Sequence, residues 1–181
     1  MDKGNSFGRN IIPGNEKERL EALHSYNLND LPDHYFTNLA HIVAAAFDAP
    51  IALISLVREN KVIFKGNAGM EDRNTEERGD SMCSLAILGN EPTVFVDSLA
   101  EPCLLTNPNV VGDFGLRFYA GAPITAPGGY NLGTVCIIDK HPRNFTEKEQ
   151  VLLKRFAENA MHELEMRKSL YSKKYQNRSS L

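Results

Sequence analysis

Cysteine is scarce in this chain of 181 residues: Cys83, Cys103 and Cys136 are its three, widely spaced and with no C-x-x-C pair among them. No histidines stand beside them at ligand spacing, which excludes a structural zinc site. Basic charge is lacking too. A formal net charge of -3 and a pI near 6.0 give no footprint for phosphate backbones, so nucleic acid is not an expected partner. Long hydrophobic runs are missing: the longest, 40–47 and 51–57, fall far short of the roughly 20 residues that span a bilayer, so both read as core and no membrane is implied. The first twelve residues carry Asp2, Lys3, Asn5, Arg9 and Asn10 and lack the apolar stretch of a secretory signal, which points to the cytoplasm. In that reducing setting each cysteine reads as a small buried hydrophobe. Only Cys83 has a chemical alternative.

The parts of common mechanisms are also missing. There is no G-x-x-x-x-G-K-[ST] loop, H-E-x-x-H helix or G-x-S-x-G elbow. Gly112-Asp113-Phe114-Gly115 contains a kinase-like D-F-G, but no H-R-D segment or glycine-rich loop accompanies it, so the match is coincidental. His34 and His41 share a helix face without a third ligand, and His24, His141 and His162 have no partners.

What is present fits one domain, since 42% of the residues are hydrophobic and a chain of this size hides roughly two-thirds of its unfolded surface. Asn15 and Glu18 have capping-box spacing for a short helix near 16–26. A turn at 29–32 opens a stronger helix near 33–48, where Phe36, Leu39, Ile42, Val43 and Phe47 recur with a helical period. From Pro50 the pattern turns β-branched: 51–57 and 61–64 form a hairpin, and 93–96 a short strand. Between them, 69–80 reads as a charged surface loop, and Asp80 or Ser81 caps a helix that Gly89 ends. A long connection, 97–115, is a lid candidate. Strands at 117–125 and 131–139 form a second hairpin, and Thr146 with Glu149 opens a helix reaching about 175, its stripe Leu153, Phe156, Ala160 and Leu164. The expected divisions are a flexible N-terminus, 1–15, the domain, 16–168, and a basic tail, 169–181, continuing the last helix.

This order predicts an α+β fold, an antiparallel sheet with helices on its faces. The residues themselves add more. Glu18-Arg19-Leu20 with Leu31-Pro32, the run 50–57, Phe118-Tyr119-Ala120-Gly121-Ala122-Pro123, Leu132-Gly133-Thr134-Val135-Cys136-Ile137-Ile138-Asp139, His141-Pro142-Arg143 and Glu163-Leu164-Glu165 together resemble the GAF sensory domains of bacterial signalling proteins. That resemblance implies a GAF-like, PAS-related central antiparallel sheet, with the terminal helices on one face. A pocket-forming helix, 81–89, and the 97–115 loop would cover the other. Gly121 and Gly133 then mark bulges or close backbone approach within strands.

The family binds varied ligands, so the resemblance leaves both ligand and cofactor unnamed. The local motifs of tetrapyrrole-binding relatives and the N-K-x-x-F-x-x-x-D-E signature of cyclic-nucleotide-binding ones are absent. An enzymatic alternative is the free-methionine-sulfoxide reductase type. Cys83 lies near one of that family's cysteines, but the other expected positions hold Glu91-Pro92-Thr93 and Glu101-Pro102-Cys103-Leu104. A helix start at Cys83 would still favour a reactive thiolate and a redox sensor.

The pocket walls are expected at Ser81, Cys83, Asp97, Arg117, Tyr119, Thr134 and Cys136. Ser81 and Cys83 would start the inserted helix, whose free N–H groups suit an anionic or polar ligand end. Asp97 and Arg117 bracket the long connection, and either clamp a ligand or tie the loop shut as a salt bridge. Tyr119 alternates with Arg117 and Thr134 with Cys136, so each pair shares a face. The choice of face comes from the family, and a one-residue slip would substitute Phe118, Val135 and Ile137. The expected partners are an unidentified small molecule, a second copy docked through the first and last helices, and a signalling output protein. A purely structural dimerisation module is the third reading.

Overall fold

Apolar residues on both sides of the central strands require cover on both sides, and that requirement sets the architecture. The protein, seen in a computed structural model, is described over residues 4–176, with side chains through residue 173. Its strands are β1 (Ile51–Val57), β2 (Lys61–Ala68), β3 (Thr75–Glu77), β4 (Thr93–Phe95), β5 (Phe118–Ala126) and β6 (Tyr130–Asp139). They form one six-stranded sheet in the order β3-β2-β1-β6-β5-β4, every neighbour antiparallel. Both expected hairpins lie in it. The helices are α1 (Glu16–His24), α2 (His34–Ala46), α3 (Cys83–Ala86), α4 (Pro108–Val111) and α5 (Glu147–Gln176).

Alternate strand residues divide between two cores. On the first face Ile54, Phe118, Ala120, Val135 and Ile137 pack with Leu23 of α1, Phe36 and Val43 of α2, and Leu153, Ala160 and Leu164 of α5. On the second, Leu53, Phe64, Tyr119, Cys136 and Ile138 meet Met82, Ile87, Leu104, Val110 and Leu116 from the connections. Phe118, Val135 and Ile137 thus lie beneath the terminal helices, and Tyr119 and Cys136 face away from them. Gly133 lies opposite Leu56, where any Cβ would overlap the Ser55 carbonyl oxygen, so close backbone approach accounts for this glycine.

Local chemistry sets the helix ends. Asp33 caps α2 by accepting from the Tyr35 and Phe36 N–H groups at 3.0 and 3.3 Å. The same carboxylate pairs with Arg167 of α5 at 2.7 Å, joining two helices across the first face. Thr146 and Glu149 make the expected capping box: Glu149 accepts from the Thr146 N–H at 2.7 Å and the Thr146 hydroxyl accepts from the Glu149 N–H at 3.3 Å.

Several expectations change. Asn15 makes no capping hydrogen bond; α1 is held instead by Arg19, fully buried, which donates to the Val57 carbonyl at 2.9 Å and pairs with Glu16. The charged segment after β2 contains a strand, β3, because its backbone completes the edge of β2. The inserted helix is a single turn, and neither Asp80 nor Ser81 caps it. The 97–115 connection is a packed cover. Asp97 caps a 3-10 turn at 98–100, Asn107 caps α4, and Leu104 is fully buried. Residues 4–15, expected as a flexible leader, lie on the second core: Phe7 and Ile11 are buried, and the Ser6 N–H donates to Gly79 at 3.0 Å. The stripe Leu153, Phe156, Ala160 and Leu164 packs on its own chain's sheet, so these residues do not need a second copy to cover them. The basic tail continues as helix to Gln176, and 177–181 fall outside the described residues. Among the described residues no helix is long and apolar enough to cross a membrane.

Candidate functional site

Register brings the site together on the second face. Ser55 of β1 pairs with Thr134 of β6, Leu53 with Cys136, and Gly121 of β5 with Cys136. Three adjacent strands therefore set Ser55, Thr134, Cys136 and Tyr119 beside one another. Cys83 closes the cluster from above, at the start of α3.

The polar atoms in this cluster meet one another rather than water. The Ser55 and Thr134 hydroxyls are 2.8 Å apart, and the Ser55 hydroxyl lies 3.2 Å from the Cys83 sulfur. The Tyr119 hydroxyl donates to Cys83 at 3.6 Å, and the Cys83 and Cys136 sulfurs stand 4.0 Å apart. Gly121 makes the tyrosine's position available, since a Cβ there would overlap the Tyr119 hydroxyl. Hydrogen bonds from Cys136, Ser55, Thr134 and Tyr119 together outweigh burial and hold the Cys83 thiol below its ordinary range. Cys136 is pushed up, first by its hydrogen bond to Cys83 and then by burial. Burial, then the adjacent sulfurs, keep Tyr119 protonated. The expected cause of a reactive Cys83 was a helix N-terminus. A single-turn α3 gives little dipole, and neutral donors supply the effect instead.

Beside the cluster is a small cavity, walled by Leu53, Phe64, Met70, Ser81, Met82, Cys83, Phe114, Leu116, Tyr119 and Ile138, with Arg73, Glu76 and Asn109 at its polar end. The space open to the centre of a water molecule is about 20 Å³, where one water needs roughly 10–15 Å³. Arg73 and Glu76 pair at 3.0 Å, and Asn109 donates to Glu76. The Ser81 hydroxyl is buried on this wall without a hydrogen-bond partner among the described residues.

Of the seven residues singled out from sequence, Ser81, Cys83 and Tyr119 line the cavity. Thr134 and Cys136 lie behind it, in contact through Ser55 and Cys83. Asp97 and Arg117 stand apart. They form a two-bonded ion pair, 2.8 Å at each contact, about one-third exposed at the sheet edge. Arg117, directly before β5, is held in this pair and does not line the cavity. Sequence reasoning passed over Ser55, although a serine within an otherwise apolar strand was a signal. Arg73, Glu76 and Asn109 come from irregular segments and offered none. Among the described residues no three His, Cys, Asp or Glu side chains gather as a metal would require.

Known proteins share this architecture. Residues 32–164 match the family model of the GAF domain. A cyclic di-GMP phosphodiesterase of Pseudomonas aeruginosa is 36% identical over 135 residues, which are 74% of this chain and 23% of that protein. This chain thus spans less than a quarter of that relative's length. Among solved structures, the GAF domain of a phosphoenolpyruvate-protein phosphotransferase from Coxiella burnetii superposes with a TM-score of 0.64 at 15% identity, covering 86% of this chain and 96% of that one. A free methionine-R-sulfoxide reductase from Neisseria meningitidis, solved with its substrate, gives 0.62 at 17% identity, covering 85% and 90%. At these identities the two structures speak for the fold alone.

Proposed function

Because the chain belongs to the GAF domain family, we propose that it is a cytoplasmic sensory and regulatory module of bacterial signalling, which binds a small polar molecule at the second-face cavity. The observation that carries this reading is the Ser81 hydroxyl, buried on the cavity wall with no partner among the described residues. A buried hydroxyl left unpaired costs about 1–3 kcal/mol, and an entering ligand group recovers it. The polar end built from Arg73, Glu76 and Asn109 supports a polar occupant. A ligand of few heavy atoms suits a space of about 20 Å³, and a larger one would have to displace Phe114 or the flexible side chains of Met70 and Met82.

The sheet supplies the coupling in this proposal. Tyr119 faces the cavity, and its neighbours Phe118 and Ala120 pack in the core beneath the terminal helices. A shift of Tyr119 is therefore felt one residue away by the layer that holds α5, which runs to Gln176 past its last core residue, Leu164. An output partner would read that helix. Pairing with a second copy would use the exposed Leu152, Met166 and Leu170, which share a helix face within about 40°. The phosphodiesterase activity of the Pseudomonas relative belongs to that whole protein, and the role proposed here is regulatory rather than catalytic.

Native mass spectrometry of the protein as purified from cells, beside the same sample denatured, tests the reading. A small-molecule adduct that leaves on unfolding and is weakened in Ser81→Ala supports it. Bare mass in both native spectra would refute it.

A further inference from the structure

Two buried thiols face each other across the cluster, and their chemistry does not depend on a ligand in the cavity. The Cys83 and Cys136 sulfurs are 4.0 Å apart, and a disulfide needs about 2.05 Å, so about 2 Å of approach separates contact from bond. The approach is shared by the short, single-turn α3 and a side chain on β6. Cys83 carries donors that favour its thiolate: the Ser55 hydroxyl at 3.2 Å, the Tyr119 hydroxyl at 3.6 Å and the Cys136 thiol. These neutral groups split the pair into a nucleophile, Cys83, held low, and a partner, Cys136, held high. Access separates them in the same sense, because Cys83 lines the cavity and Cys136 lies behind it. A space of about 20 Å³ admits a molecule near the size of water. Hydrogen peroxide meets that limit, and a bulky disulfide such as oxidised glutathione does not.

We propose that Cys83 and Cys136 form a hydroperoxide-sensitive dithiol, oxidised within the folded chain to a disulfide that ties α3 to β6. The Cys83 thiolate attacks one peroxide oxygen, and the O–O bond breaks. The departing hydroxide takes the proton given up by the Cys83 thiol and leaves as water, with Cys83 now a sulfenic acid. The Cys136 sulfur then attacks the Cys83 sulfur, the S–O bond breaks, and the hydroxyl leaves with the Cys136 proton as a second water. Two electrons from the sulfur pair reduce one peroxide to two waters. An external dithiol reverses the change. Closure draws Cys83 away from Ser55 and Tyr119, altering the same wall that a ligand would touch.

The test is peptide mapping without reduction. Folded, reduced protein is exposed to hydrogen peroxide, and its remaining thiols are then blocked with iodoacetamide in denaturant. The expected product joins the Cys83 and Cys136 peptides, lighter by two hydrogens and reopened by dithiothreitol, with Cys103 alkylated. Cys136→Ala should stop at a Cys83 sulfenic acid, captured by dimedone added together with the denaturant, and Cys83→Ser should leave Cys136 a free thiol. Oxidised glutathione should join neither cysteine in the folded protein. Preferential oxidation of Cys103, a link from Cys83 to Cys103, or reaction only after unfolding would overturn the proposal. The wild-type map decides the matter alone if either variant fails to fold.

Discussion

Arg19→Met keeps an unbranched apolar stem in place and removes the guanidinium that fastens α1 to the sheet. Arg19 is fully buried; it donates to the Val57 carbonyl at 2.9 Å and to Glu16 at 2.8 and 3.0 Å, with a longer contact to the Asn131 carbonyl at 3.4 Å. Glu16 is shared with Arg78, so it keeps one cationic partner when Arg19 is lost. That sharing places the cost at the lower end of the roughly 3–5 kcal/mol seen when a buried ion pair loses one member. The charge-assisted bond to Val57 accounts for about 1.5–3 kcal/mol of it. With a urea m-value of about 2 kcal/mol/M, a loss of about 3 kcal/mol lowers the unfolding midpoint by roughly 1.5 M. The assay is urea titration followed by far-UV circular dichroism, with Arg155→Ala as control, since the Arg155–Glu158 pair is 71% and 57% exposed and should cost no more than about 0.5 kcal/mol. A loss below about 1 kcal/mol for Arg19→Met, or equal losses for both variants, would refute the assignment of Arg19 as the anchor of α1.

Three further outcomes are expected. Gly121→Ala should cost about 1–3 kcal/mol by overpacking, and it should change the rate at which hydrogen peroxide consumes the Cys83 thiol, because the new Cβ displaces the Tyr119 hydroxyl; an unchanged midpoint and rate would show that the ring has no such constraint. Leu153→Ala, fully buried, should lose about 2–5 kcal/mol, against at most about 0.5 kcal/mol for Leu31→Ala, 67% exposed; similar losses would contradict the inward stripe. Stability should fall in acid. Hydrogen bonding to Arg167 lowers Asp33, and for Glu16 burial acts upward but the bonds from Arg19 and Arg78 prevail. Carboxyls with depressed folded values contribute fully above their unfolded values of about 4 and lose that contribution as the pH falls through the folded ones. Urea midpoints should therefore drop below about pH 4.5, with a flatter acid limb in Asp33→Asn; an identical limb in that variant would count against the Arg167 pairing as its source.

The capping box at Thr146 was legible because its donors and acceptors lie three residues apart, and the strands at 51–57 and 131–139 were legible from β-branched runs between turns. Asn15 has similar spacing and makes no cap, since a buried arginine already positions that helix. Ser81, Cys83 and Tyr119 could be proposed from residue type and the family pattern, whereas Arg73, Glu76 and Asn109 could not, being brought together by segments with no period of their own.

The sequence by itself determined the class of element at most positions, the two hairpins and the alternation that sets Tyr119 opposite Phe118, because these follow from interactions between near neighbours in the chain. Tertiary structure decided which face lies under the helices. Both faces of this sheet are apolar, so alternation separates two sets of residues without saying which core each set joins. It also decided that Asp97 and Arg117 pair at an exposed edge. The meeting of Cys83 with Cys136, 53 residues apart in sequence, was decided there too, because such contacts depend on how the strands register and on what covers them.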